Sequence, residues 1–320
     1  MATVTEPPVA YAEMSGAAGR VSGLAVLGLM FNALTWGLSW WPFRQLQQAG
    51  LHALWSTVLI YASAVVVVGL LKPGAWAQLL RERSLWAIAL ASGGTNLCFN
   101  WGVTIGDVSR VVLLFYLTPL WTVLLARWLL QERADARVWL RVAMALAGAA
   151  LVITSGHDTA DGAAARPAAM PVLADVLALV GGFCFSLNNV MLRRSAALPE
   201  EGRALAMFGG GALVSLLVVS AGSLGLGALA GLGLHAPPPV QASWLVPALG
   251  LAFAFLLSNL ALQYGAARLP ANVTSVVMPC EVLFASGSAV WWAGESPTAS
   301  LLLGGALILG ATVLAAWQSR

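Results

Sequence analysis

Charge is scarce in this chain: Asp, Glu, Lys and Arg together make up only 9% of its 320 residues. A soluble domain carries about a quarter, so a soluble fold of this length is excluded. The little charge present sums to +3 and is spread along the chain without a basic patch. That excludes a nucleic-acid partner, whose phosphates need clustered Lys and Arg. Cysteine is nearly absent as well. Cys98, Cys184 and Cys280 all lie in apolar runs and none belongs to a CxxC pair, which argues against a disulfide framework and a zinc site and leaves packing. The three histidines, His52, His157 and His235, fall in loops or at span ends. No HExxH, GxSxG or pair of deep aspartates is present. The expectation is therefore no enzyme, no metal and no cofactor. Glycine runs such as Gly209-Gly210-Gly211 and Gly304-Gly305 follow no strand, so they are not phosphate loops. Residues 1–20 lack the basic start of a secretory signal; they read as a cytoplasmic tail before a retained first helix.

What the chain has in abundance is apolar sequence, 59% of it. A membrane-crossing helix needs roughly 20 mainly apolar residues. Ten stretches qualify as candidates: 22–42, 53–71, 85–106, 110–130, 138–155, 172–192, 204–226, 243–264, 272–293 and 299–317. The fold class expected is an all-α membrane protein of ten transmembrane helices, arranged as two inverted five-helix repeats. Repeat 1 covers 21–155 and repeat 2 covers 172–320, with an external linker over 156–171.

Positive charge orients the spans. With the N-terminus in the cytoplasm, only Arg44, Arg110 and Arg166 of the 16 Lys and Arg residues lie outside. This is a strong positive-inside bias, which supports cytoplasmic termini; the expected location is the plasma (inner) membrane, multi-pass. The lipid bilayer is thus one partner. Tryptophans near span ends, among them Trp55, Trp76, Trp86, Trp139, Trp244 and Trp317, fit an aromatic belt.

The halves resemble each other. An offset of 163 carries Thr95-Asn96-Leu97, Asn100 and Trp101-Gly102 onto Ser258-Asn259-Leu260, Gln263 and Tyr264-Gly265. The same offset carries Glu132 onto Glu295 and Thr118 onto Glu281, while an offset of 149 carries Arg44 onto Arg193. Each half holds an odd number of spans, so the copies insert in opposite senses, as alternating-access transporters do.

Leu117-Thr118-Pro119-Leu120 through Leu130-Gln131-Glu132, with Trp36-Gly37 in the first helix, resembles the EamA-type family of the drug/metabolite transporter superfamily. That family's pattern is a proline in the fourth helix and a glutamate closing it, fitted here by Pro119 and Glu132. The second copy departs from it: Val282 follows Glu281 where a proline is usual, and Pro279 stands nearby. The resemblance implies ten helices, cytoplasmic termini, and efflux of amino acids or related small metabolites.

Deep polar residues are the candidate substrate-binding set, since such residues are costly in lipid and usually face a cavity or a partner. Glu281 is the one acidic residue near the middle of a predicted span. It is a candidate to bind a substrate amine or to carry a coupling proton; the alternative is a protonated acid bonded to a neighbouring helix. Arg110 either meets a substrate carboxylate or Glu281, or snorkels to headgroups, with Asp107 a further candidate to neutralise it. Asn96 and Asn100, and their repeat mates Asn259 and Gln263, are either donors and acceptors for a polar substrate or packing glue between helices. Asn188 and Asn189 carry the same two readings. Trp36, Trp101 and Tyr264 read as cavity walls or ordinary packing. Pro119 and Pro279 are candidate hinges. No ATP-binding motif is present, so a secondary transporter exporting amino acids or similar amphipathic small molecules is the expected function, with protons the candidate coupling ion. Facilitated diffusion of another metabolite class and a non-transporting scaffold are the alternatives. Monomer and homodimer are equally open.

Overall fold

The structure is a computed structural model that describes residues 8–129, 131, 136–154, 169–195, 197–266, 268–269, 277 and 280–318; inside helices, residues 8–22, 119, 169, 263, 266, 312 and 315–318 are described by backbone alone. Glu132, Pro279 and nearly all of the 156–171 linker lie outside the described residues. The described residues are helical with no strand. In hydrocarbon only a helix or closed barrel satisfies every backbone N–H and C=O, and sequences such as ALWSTVLIYASAVVVVGLL offer nothing else to pair them.

In chain order the helices are α1 (Pro8–Leu38), α2 (Trp40–Gln48), α3 (Ala53–Leu71), α4 (Gly74–Arg81), α5 (Arg83–Ile105), α6 (Val108–Phe115), α7 (Thr118–Leu129), α8 (Ala136–Thr154), α9 (Ala169–Arg194), α10 (Glu200–Ser223), α11 (Ala242–Ala266), α12 (Cys280–Ala293) and α13 (Ala299–Gln318). Helix α1 begins at Pro8, inside the segment read from sequence as tail. Two predicted spans are each made of two helices. The first pauses at Ser39, whose N–H and Oγ both donate to the Trp36 carbonyl (3.1 and 2.7 Å). The fourth is interrupted at Tyr116 and Leu117, between α6 and α7. Pro119 has no N–H to return to the Phe115 carbonyl, and it sits in the first turn of α7, where none is needed. The proline therefore produces a break ahead of itself rather than a bend within one helix.

Seven stretches, not ten, are long and apolar enough to cross a membrane among the described residues: Gly23–Gln48, Ala53–Leu71, Val108–Leu129, Ala136–Thr154, Met170–Arg194, Glu200–Ser223 and Ala242–Leu262. Helix α13 adds a shorter apolar run, Ala299–Ala311. Helix α5 is long enough but is diluted by Ser92, Thr95, Asn96, Asn100 and Thr104. Those residues are buried or half-buried in protein, while Trp86 and Leu90 keep an apolar face outward. The chain is a multi-pass membrane protein.

The helix pairings are reciprocal. Helix α1 packs on α11 and α12, while α9 packs on α5 and on α6 and α7; α3 pairs with α10, and α8 with α13. Lipid provides no hydrophobic drive between helices, so close contact depends on small residues. The α8–α13 seam illustrates it: a side chain at Gly148 would meet the Gly304 carbonyl at 2.6 Å, and one at Gly304 would meet the Gly148 carbonyl at 2.6 Å. Likewise a side chain at Gly37 would meet the Glu281 carbonyl at 2.7 Å, so Gly37 lets α1 lie against α12 at the glutamate.

Candidate functional site

A cavity of about 630 Å³ lies among the helices, well inside the range of small-molecule sites. Its lining comes from α1, α3, α5, the α6–α7 break and the start of α7, α9, α10, α11 and α12. Among the described residues, α8 and α13 contribute nothing to it; they pair with each other. Tyr61 in α3 and Asn96 in α5 line the cavity from near the middle of their helices, whereas Thr118 and Glu281 line it from the starts of α7 and α12.

Aromatic rings form much of the wall. Trp36 meets Phe255 edge-on at 4.5 Å between centroids and Phe99 at 6.1 Å, and Phe99 meets Phe115 at 5.0 Å. Trp36 and Phe185 both line the cavity and stand 149 positions apart, the offset that relates Arg44 to Arg193. Asn96 and Asn259, and Thr118 and Glu281, also line it as pairs 163 apart.

Glu281 is 8% exposed and reaches the cavity from the first turn of α12. Its Oε2 accepts a hydrogen bond of 2.9 Å from the Tyr116 hydroxyl. The break between α6 and α7 is what leaves Tyr116 at the cavity edge. Asn96 accepts from the Tyr61 hydroxyl and donates to the Ser92 carbonyl at 2.8 Å. Asn32 donates to the Ser258 hydroxyl at 2.8 Å and carbonyl at 3.2 Å. The carbonyl can only accept, which sets the amide's orientation and leaves Asn32 Oδ1 as an acceptor without a partner. Asn188 Oδ1 also lacks one.

Of the residues singled out from sequence, Glu281, Asn96, Asn259, Trp36, Asn188 and Asn189 line the cavity. Four others do not. Arg110 is 3% exposed and faces away: its guanidinium pairs with both oxygens of Asp175 (2.8 and 2.7 Å) and donates to the Val152 and Ile153 carbonyls (2.6 and 3.0 Å). It closes the C-terminal end of α8 and ties α6 to α9. Arg44 plays the same part at the end of α5, donating to the Val103 and Gly106 carbonyls (3.0 and 2.6 Å). Cations are favoured where helix carbonyls run out, which accounts for two of the three positive charges on the minority side. Asn100 is fully buried and donates to Thr57 at 3.0 Å. Trp101 packs edge-on against His52 at 5.5 Å. Tyr264 lies under the Arg268 guanidinium at 3.9 Å. The Gln263 side chain, with Pro279, lies outside the described residues, and for Pro119 only the backbone is described. Sequence reasoning assigned no role to Tyr61 or Phe208, which line the cavity from within ordinary apolar runs. It also passed over Asp175, the partner of Arg110.

His52 sits at the start of α3, outside the spans, with Nδ1 accepting from the Leu54 N–H at 3.2 Å. Burial, with a smaller contribution from nearby His235, pushes its pKa down to about 4. It is neutral at neutral pH, as an accepting Nδ1 requires.

Residues 23–154 match the EamA-like transporter family. An uncharacterized transporter of Pseudomonas aeruginosa is 31% identical over 135 residues, 39% of this chain and 44% of the relative. The chain therefore aligns with less than half the length of that relative. A crystal structure of another protein matches 95% of this chain and 99% of its own, with a TM-score of 0.52 at 20% identity; this establishes a common fold alone.

Proposed function

We propose, from the match of residues 23–154 to the EamA-like transporter family, that the chain is a secondary transporter that exports amino acids or similar small amphipathic metabolites across the plasma membrane by alternating access. The observation that carries the reading is the cavity between the helices, walled by rings and holding one buried carboxyl, Glu281. Transporter sites lie near the bilayer midplane between repeats. The reciprocal pairing of α1 with α11 and of α9 with α5 supports two inverted repeats of five spans each, with ten spans in all and cytoplasmic termini. In this reading the α6–α7 break beside Pro119, and Pro279 ahead of Glu281, are where the halves hinge. Glu281 binds the substrate's cationic group or carries the coupling proton.

Purified protein in liposomes tests this. Labelled substrate should cross faster than in protein-free liposomes, and Glu281→Gln should abolish the pH dependence of efflux. Unchanged pH dependence in that variant removes proton coupling and leaves facilitated diffusion. No flux with a broad metabolite panel removes the transport reading itself.

A further inference from the structure

The lining of the cavity is one-sided in charge. Among its described residues, Glu281 is the single acidic side chain and there is no Lys, Arg or His. Residues 270–279, which precede Glu281 in the chain, contain none of the three either. The arginine best placed by sequence to receive a substrate carboxylate, Arg110, is held by Asp175 and two helix-end carbonyls. Arg44 is held by two others. A carboxylate entering the cavity would leave water without finding a counter-cation, and an isolated buried anion is among the costliest things to desolvate.

A cation meets the opposite surroundings. Glu281 has Oε2 bonded to Tyr116, leaving the carboxyl open on its other oxygen among the described residues. Asn32 and Asn188, both lining residues at 1% and 4% exposure, keep unpartnered carbonyl oxygens. A buried acceptor left unpaired is a standing cost that a donor relieves. Eight rings, among them those of Trp36, Phe99, Tyr116, Phe185 and Phe255, line the same space. Aromatic faces attract a desolvated ammonium and accept an apolar body.

We infer that the cavity is built for an organic monocation, an amphipathic amine with an aromatic or apolar body and no free carboxylate, rather than for a zwitterion or an anion. This rests on the transport reading for its biological sense and narrows it: of amino acids and their relatives, those that have lost or masked the carboxylate are the ones that fit.

Three ligands that share one ring system separate the charges: tryptamine carries the amine alone, tryptophan carries amine and carboxylate, and indole-3-propionate carries the carboxylate alone. Equilibrium binding to the purified full chain should rank tryptamine at least about tenfold tighter than tryptophan, with indole-3-propionate not bound; one desolvated charge without its partner accounts for a factor of that size. Glu281→Gln should lose at least about tenfold in tryptamine affinity. The wild-type series stands even where that variant fails to fold. Tryptophan binding as tightly as tryptamine, tryptamine binding untouched by a folded Glu281→Gln, or no binding by any of the three overturns the inference. Flux separates this from the transport reading. A zwitterion or anion moved by liposomes while tryptamine is ignored overturns the cation site and keeps the transporter. Tryptamine bound at Glu281 with no solute moved upholds the site and removes the transporter.

Discussion

The Tyr116 hydroxyl donates a 2.9 Å hydrogen bond to Glu281 Oε2 across 165 positions of sequence, joining the break between α6 and α7 to the first turn of α12. Tyr116 closes the end of α6, its N–H donating to the Val112 carbonyl at 3.0 Å, and Leu117 turns the chain with an N–H to the Leu114 carbonyl at 3.1 Å before α7 begins. Because the Tyr116–Glu281 bond unites two elements that the transport reading assigns to different repeats, its strength bears on how they move together.

A double-mutant cycle measures that bond. Tyr116→Phe and Glu281→Gln should each lower thermal stability in detergent. Together they should cost less than the sum, with a coupling of about 1–2 kcal/mol, as for residues that share one hydrogen bond. Additive effects would mean that the two groups do not interact in the native protein.

The Arg110–Asp175 pair is predicted to be structural. Breaking one side of a buried pair strands a charge and typically costs about 3–5 kcal/mol. Arg110→Ala and Asp175→Ala should thus each destabilise strongly, and the double variant should recover part of the loss. Where protein folds, apparent affinity for substrate should match wild type. A rise in KM without loss of stability would return Arg110 to the binding site.

Much of this architecture was legible in the sequence. The span read as 53–71 is helix Ala53–Leu71, since nineteen residues with no charge leave little choice. Asn96, Asn259, Trp36 and Glu281 could be picked out because polar or large aromatic residues on one helical face stand out against Leu and Ala. Arg110 could not be placed, because its partner lies 65 positions away and nothing local distinguishes a paired arginine from a substrate-facing one. Tyr61 and Phe208 were hidden for the converse reason: a ring in an apolar run looks the same against lipid, neighbour or cavity. Of the three stretches by which the counts differ, α5 is diluted by buried polar residues, most of 272–279 lies outside the described residues, and the last is described as the shorter apolar run Ala299–Ala311.

Stability should fall in acid through His52. Its folded-state pKa of about 4 lies below the ordinary 6.5, so the folded protein binds fewer protons than the unfolded chain between those values. The stability is complete above about pH 6.5 and declines as pH falls toward 4, by up to about 3 kcal/mol. His52→Asn retains a helix-capping oxygen but removes the titration. Melting temperatures measured from pH 7 to 4 should fall less steeply in this variant; identical slopes would place the acid sensitivity elsewhere.

The α8–α13 seam should not tolerate side chains. Gly148→Val or Gly304→Val places a branched group where a carbonyl lies 2.6 Å from a bare Cβ, and overpacking of this kind costs about 1–3 kcal/mol. Because neither helix lines the cavity, melting temperature should drop while ligand affinity of the folded fraction stays at the wild-type value.

Solute counterflow tests the central claim most directly. Liposomes containing the purified protein are loaded with unlabelled tryptamine, and a trace of labelled tryptamine is supplied outside. A carrier with its site at Glu281 predicts transient accumulation of label above equilibrium, absent from protein-free liposomes and abolished in Glu281→Gln. If label enters no faster with protein than without it, and the same holds for labelled amino acids and organic acids, the chain is not a transporter of this kind.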